Sequence, residues 1–189
     1  MVVRADTNKK PCSFLSTMPN KQYYSDITGT YYGVDAFKKM IQKRFRKQLR
    51  HTKELDLEKP YTIIKEQEGD ANLLYRLLKM VLDNKLDVTI ETTTSEGRIP
   101  LYARPMETHV AMGLGYFLDH NRLNVLDEGV INPLRHLTIH ECEQLAEILE
   151  VAGDMSSVSN EMIEEMHKEH PQTKPSLLKS IDEIRRQLR

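Results

Sequence analysis

The sequence predicts an α+β fold: a small antiparallel sheet with a central β-hairpin, covered by helices and followed by a helical C-terminal section. Two observations support this class. Apolar residues recur at helical spacing in several separate segments, and between residues 86 and 103 the apolar period changes to two, which is typical of strands. With 189 residues, the chain is long enough to bury a core.

Pattern and composition divide the chain into three parts. We expect residues 1–33 to form a mobile or loop-rich N-terminal segment, because Ser, Thr, Asn, Gly and Tyr follow one another there without a sustained period. Residues 34–155 carry the alternating helix and strand patterns and form the predicted core domain. Residues 156–189 form a predicted helical C-terminal appendage.

The first predicted helix runs from Val34 to Arg50 and carries the densest basic cluster in the chain. Its apolar residues form one line, and its basic residues take the opposite face. A cationic helix face can contact the phosphates of a nucleic acid or an acidic protein surface. The predicted binding residues are Lys39, Lys43, Arg46, Lys47 and Arg50.

A strand near Tyr61 to Lys65 and a second helix follow. The carboxylate of Asp70 could accept hydrogen bonds from the free amides of the first turn, so we place the N-cap at Asp70 and the stop near Asn84. The helix has an apolar stripe wide enough to face a core. Its members are Leu73, Leu74, Leu77, Leu78, Val81 and Leu82.

The predicted hairpin comes directly after this helix. Leu86, Val88 and Ile90 alternate with polar residues, residues 95–97 supply turn chemistry, and the apolar alternation returns over residues 99–103. Proline has no amide hydrogen to donate to a neighbouring strand, so Pro100 and Pro105 predict that the return strand lies at the edge of the sheet.

Four further predicted helices and a loop complete the core and the appendage. One helix is predicted from Met106 to Leu118, and a loop over residues 119–134 follows it. A second helix should begin after Thr138, because Thr138 and Glu141 have the spacing of a capping box. A third is predicted from about Val158 to Glu169. A last helix is expected over residues 175–188, with a narrow apolar seam suited to docking on the domain or on a partner helix. The seam residues are Leu177, Ile181, Ile184 and Leu188.

Potential metal ligands concentrate between residues 119 and 142. His136 and His140 are four apart, but a cap at Thr138 would leave His136 outside the helix that carries His140, so these two histidines are a weak alternative for a metal site. We therefore expect no metal and no other cofactor. The other members of this group are Asp119, His120, Asp127, Glu128, Glu141 and Cys142.

Charge and cysteine usage limit the environment. The formal net charge is −1, but the first third of the chain is basic, whereas residues 139–170 are rich in glutamate. No run of about 18 apolar residues could span a membrane, and the start of the chain lacks the apolar segment of a secretory signal. The two cysteines do not form a C-x-x-C pair, which favours reduced thiols in the cytoplasm.

These features lead to one functional hypothesis and two alternatives. The hypothesis is a non-catalytic intracellular binding or regulatory protein whose basic helix face binds nucleic acid or an acidic protein surface. In the first alternative the chain is a structural component that self-associates, as a homo-oligomer, or docks on a larger assembly through its charged helices. In the second it is a metal-assisted hydrolase.

Overall fold

A computed structural model describes residues 21–52, 55–118, 131–157, 165, 170 and 172–187. The described residues form two small sheets and five α-helices, which confirms the α+β class. The strands are β1 (Gln22–Ser25), β2 (Thr30–Gly33), β3 (Tyr61–Ile64), β4 (Val88–Glu91) and β5 (Ile99–Tyr102). The helices are α1 (Val34–Thr52), α2 (Glu68–Val81), α3 (Met106–Leu118), α4 (Ile139–Ile148) and α5 (Thr173–Gln187), with a 3-10 turn at Pro133–His136.

The larger sheet has three parallel strands in the order β4-β3-β5. Tyr61 at the start of β3 lies opposite Val88 on one side and Ile99 on the other. The predicted central hairpin is therefore wrong, because β4 and β5 do not pair with each other. An apolar period of two identifies a strand but says nothing about its direction. The strand that contains Pro100 does lie at the edge of this sheet, as predicted.

Arg98 links the three parallel strands at one end. Its guanidinium donates to the main-chain oxygen of Tyr61 at 2.7 Å and to the carboxylate of Asp87 at 2.8 Å. These partners and Arg98 stand at the starts of β3, β4 and β5, so one side chain joins the same end of all three strands. This pairing also lowers the pKa of Asp87. A hairpin would instead place the start of β5 beside the end of β4.

In the main core α2 packs on strands β3 and β4 of this sheet, and α1 and α4 pack on α2 and on each other. The inner face of α1 contributes Phe37, Ile41 and Phe45, each almost fully buried. The apolar stripe of α2 is buried along its length, as its spacing predicts. Helix α4 contributes Cys142 and Leu145 to the same cluster.

Residues 22–33 form an antiparallel hairpin, β1–β2, in the segment expected to be rich in loops. The hairpin is attached to α4 by two hydrogen bonds between Tyr24 and Gln144: the main-chain amide donates to the side-chain oxygen at 2.8 Å, and the side-chain amide returns a bond to the main-chain oxygen at 3.0 Å. The ring of Tyr23 packs on Phe37 with 5.6 Å between centroids. Residues 1–20 lie outside the described part.

The last helix, α5, packs against α3 in a second apolar cluster. Gly113 leaves room for Ile181, since a methyl group at this glycine would lie 2.8 Å from the isoleucine side chain. Beside this contact, Lys174 donates to the buried carboxylate of Glu107 at 2.8 Å. Two of the predicted seam residues, Leu177 and Ile181, therefore pack within the chain itself, Ile184 is half-buried, and Leu188 lies outside the described residues.

The capping box at the start of α4 is confirmed, because Thr138 accepts from the amide of Glu141 while the glutamate accepts from the amide of Thr138. The helix predicted over residues 158–169 and most of the predicted loop 119–134 fall outside the described residues. Within the described ranges, none of the helices is long and apolar enough to cross a membrane.

Candidate functional site

The outward face of α1 carries the basic cluster that the sequence predicts. All five predicted binding residues are exposed. Within the parts of the chain that the structure describes, none of the five has a carboxylate partner in an ion pair. Unpaired cations on one helix face are free to contact an anionic ligand, and their field is not cancelled locally.

Another basic residue of the same helix has a different role. Arg44 turns toward the core, where its Nη1 donates to Oε1 of Glu141 at 3.0 Å and its Nη2 pairs with the other carboxylate oxygen. The carboxylate is fully buried and also accepts from the hydroxyl of Ser25 at 2.6 Å. This two-pronged pair joins α1, β1 and the start of α4, so Arg44 belongs to the framework and not to the basic face.

The carboxyl-terminal end of the parallel sheet is the usual ligand position in open α/β sheets. Here the segment after β3 begins with opposite charges, Lys65 and Glu66. The guanidinium of Arg104 donates from Nε to Glu66 at 2.6 Å and lies 4.3 Å from the centre of the Tyr102 ring. This edge therefore combines a paired arginine with adjacent opposite charges, and it does not carry a row of exposed cations such as the one on α1.

The start of α2 is closed by the chain itself. A helix N-terminus can bind phosphate with its free amides, but here the amide of Gly69 donates to the main-chain oxygen of Asp154 at 2.9 Å. The side chain of Asn72 donates to the oxygen of Ala152 at the same distance. A methyl group at Gly69 would lie 2.7 Å from the oxygen of Gly153, so the two chain segments are in direct contact.

The expected N-cap role of Asp70 is wrong, because α2 begins two residues earlier, at Glu68. The buried carboxylate of Asp70 instead accepts from the amide of Ser156 at 3.1 Å and from its hydroxyl. Burial raises the pKa of Asp70, and the bonds to Ser156 oppose that effect. The sequence did not indicate this contact, because residues 70 and 156 are far apart in the chain.

The two histidines of the alternative metal site have unlike surroundings. His136 ends the 3-10 turn. Its pKa is lowered to about 3, mainly by burial and to a lesser extent by the positive charges of Arg135 and Arg44. His140 is exposed on α4, with Nδ1 3.9 Å from Glu143. Among the described residues, no three His, Cys, Asp or Glu side chains are grouped as metal ligands. Residues 119–128, proposed as further ligands, lie outside them.

Comparison with known proteins gives a match in structure but not in sequence. No protein-family model matches the chain, and no curated protein matches it. Among solved structures, the chain is similar to the U34-tRNA thiolase NcsA from Methanococcus maripaludis, determined with its [4Fe-4S] cluster. The TM-score is 0.62, and the match covers 86% of this chain and 84% of that chain at 12% sequence identity. The similarity establishes a shared fold.

This comparison corrects the functional prediction made from the sequence. The expectation of a non-catalytic binding or regulatory protein, with a structural component or a metal-assisted hydrolase as alternatives, is wrong, because the structural match is to an enzyme that modifies tRNA. The sequence lacked the signal that would have indicated this fold. At 12% identity, the relationship is visible in the arrangement of helices and strands and not in residue motifs.

Proposed function

We propose that this chain is a component of a tRNA-modifying enzyme and that it contacts tRNA with the exposed basic face of α1. The structural match to a U34-tRNA thiolase over most of both chains carries the proposal. The unpaired cations of α1 support it, since neutralising phosphates is the main source of affinity for nucleic acids. The proposed location is the cytoplasm.

The spacing of the α1 cations fits a nucleic-acid backbone. Lys39, Lys43, Arg46 and Arg50 follow one another at intervals of four, three and four residues, which places them on one side of the helix. With a rise of 1.5 Å per residue, they extend over about 16 Å. A row of this length can contact several successive phosphates at once.

The [4Fe-4S] cluster of the similar structure does not fit the residues of this chain. Such clusters are held by cysteine thiolates, usually four, whereas these 189 residues contain two cysteines. Cys142 lies fully within the core, and burial raises the pKa of its thiol well above the usual range, which disfavours the thiolate. Cys12 lies outside the described residues. The proposal therefore includes no step that passes through a cluster.

The binding part of the proposal can be tested with tRNA and purified protein. The variant in which Lys39, Lys43, Arg46 and Arg50 are all changed to Glu should lose tRNA binding in a filter-binding assay. For the wild-type protein, affinity should fall by at least about tenfold between about 50 and 200 mM salt, because each neutralised phosphate releases counterions.

A matched control separates the α1 face from general charge. Changing Lys59, Arg76, Lys85 and Lys179 to Glu removes the same number of exposed positive charges from other surfaces. This control should retain most of the tRNA affinity. Equal losses in the two quadruple variants, or a wild-type protein that does not bind tRNA, would contradict the proposal.

The enzymatic part requires a readout of the RNA. We expect cells that lack this protein to lose a modified nucleoside of tRNA, measured by mass spectrometry of digested tRNA. The wild-type protein should restore that nucleoside, whereas the α1 charge-reversal variant should not. An unchanged nucleoside profile in the deletion strain would overturn this part of the proposal.

A further inference from the structure

A cavity of about 320 Å³ opens between the C-terminal halves of α1 and α2, at one end of the basic face. Its wall is aliphatic, and Arg46 and Arg50 stand beside it. Leu57 is 48% exposed, so the apolar interior of the cavity is open to solvent. The aliphatic wall residues are Leu49, Leu55, Leu57, Val81 and Leu82.

The charges around the cavity indicate an anionic ligand with an apolar body. Both arginines are exposed and have no carboxylate partner among the described residues, and the cavity lining contains no carboxylate in the described part of the chain. The line of α1 cations continues away from the opening through Lys43 and Lys39. A ligand in the cavity would therefore carry negative groups next to an uncharged portion, on a chain that extends along α1.

We propose that this cavity binds one unpaired nucleobase of the RNA that contacts α1, while Arg46 and Arg50 hold the adjoining phosphates. The inference rests on the proposed function and adds the position and type of the nucleotide contact. The plane of a guanidinium group can stack on the face of a base, and apolar side chains can enclose a base that has left its stack. A volume of about 320 Å³ is at the small end of ligand sites, which suits a single base.

This site gives the protein a preference that charge alone does not provide. The cations on α1 attract the phosphates of any nucleic acid, single-stranded or duplex. Only an unstacked base can enter a cavity of this size, so RNA with unpaired nucleotides should bind more tightly than a duplex of the same length. Unpaired loops are where proteins usually recognise RNA by its bases.

The test removes part of the apolar wall of the cavity without changing charge or adding an aromatic ring. Leu57→Ser should weaken binding of a single-stranded oligoribonucleotide by about tenfold, the loss expected when one aliphatic side chain no longer covers the base, and should leave duplex RNA binding unchanged. Val34→Ser is the matched control, because Val34 is also an exposed aliphatic residue, 42% accessible, but lies about 18 Å from Arg46 along α1. It should change neither affinity.

A second measurement does not depend on the variant folding. In the wild-type protein with labelled Leu and Val methyl groups, the NMR signals of Leu57 and Val81 should shift when oligouridylate is added and should shift much less with duplex RNA. Equal shifts with both RNAs, no shifts, or equal shifts with an acidic peptide would overturn the inference.

The two proposals fail in different ways. If the α1 charge-reversal variant binds tRNA as well as the wild-type protein does, the proposed function fails. If that variant loses tRNA binding while Leu57→Ser keeps the preference for single-stranded RNA, only the nucleobase site fails.

Discussion

Arg44 and Arg46 are two residues apart on α1 and have opposite surroundings. Arg44 points into the framework and meets the fully buried carboxylate of Glu141. Arg46 points into solvent, without a carboxylate partner among the described residues. The difference separates two uses of the same residue type: a charge removed from water must be paired to be tolerated, whereas an exposed charge can remain unpaired and available to a ligand.

The largest effect on stability should follow from breaking the buried ion pair between Arg44 and Glu141. Glu141→Leu leaves Arg44 facing the core without its partner, so we expect the free energy of unfolding to fall by about 3–5 kcal/mol in urea denaturation. The double variant Arg44→Met with Glu141→Leu should recover part of that loss, because the orphaned charge is gone. A loss below about 1 kcal/mol for the single variant would mean that Arg44 is not dependent on the pair.

Closed and open surroundings also distinguish two glycines. A methyl group at Gly69 would lie 2.7 Å from the main-chain oxygen of Gly153, which cannot turn aside as a flexible side chain can. We expect Gly69→Ala to destabilise the protein by about 1–3 kcal/mol in thermal or urea unfolding. Gly115 on α3 has open space around it, so Gly115→Ala should stabilise by up to about 1 kcal/mol. Similar effects at both positions would remove the distinction.

Two histidines extend the comparison to pH. His136 has a pKa of about 3 in the folded protein, chiefly because of burial, against about 6.5 when unfolded. As pH falls, the imidazole of His136 is therefore protonated in the unfolded state before it is protonated in the folded state. Below pH 6.5 this protonation stabilises the unfolded state, and the free energy of unfolding decreases. We expect a loss of about 2 kcal/mol between pH 7.5 and pH 5. His136→Gln should flatten this dependence in urea titrations, and exposed His140→Gln should leave it unchanged.

The smallest effect on stability is expected for Arg46, on the exposed face of α1. Arg46→Ala should change the free energy of unfolding by no more than about 0.5 kcal/mol, because this side chain has no buried contact to lose. The same change should reduce the slope of log affinity against log salt concentration for tRNA by about one, the value expected for the loss of one phosphate contact. A clear loss of stability with unchanged salt dependence would place Arg46 with Arg44 in the framework.

Local sequence patterns predicted the helices well, because the interactions that form a helix join residues only a few positions apart in the sequence. The periodicity of α1, the stripe of α2 and the exchange of hydrogen bonds between Thr138 and Glu141 all depend on neighbours in sequence. Strand direction depends on distant partners. Nothing near residues 88–102 indicates that Arg98 would join the starts of three strands, including β3, more than 30 residues earlier.

The candidate site was predictable to the same extent. The exposed cations of α1 follow from spacing on one helix, and all five positions are exposed as this spacing requires. Arg44 shares their chemistry, and only the buried carboxylate that it meets across 97 positions in the chain sets it apart. The cavity beside Arg46 and Arg50 needs side chains from α2 and from residues 55–57, so no motif marks it in the sequence.

The attachment of the β1–β2 hairpin to α4 has a consequence for how the protein is made. Tyr24 and Gln144 are separated by 120 positions, and ribosomes add about 5–20 residues per second. The hairpin must therefore wait about 6–24 s after its own synthesis before its docking partner exists. During that interval Arg44 also lacks the carboxylate of Glu141 that neutralises it, so the N-terminal third of the nascent chain reaches its final contacts only after α4 has been made.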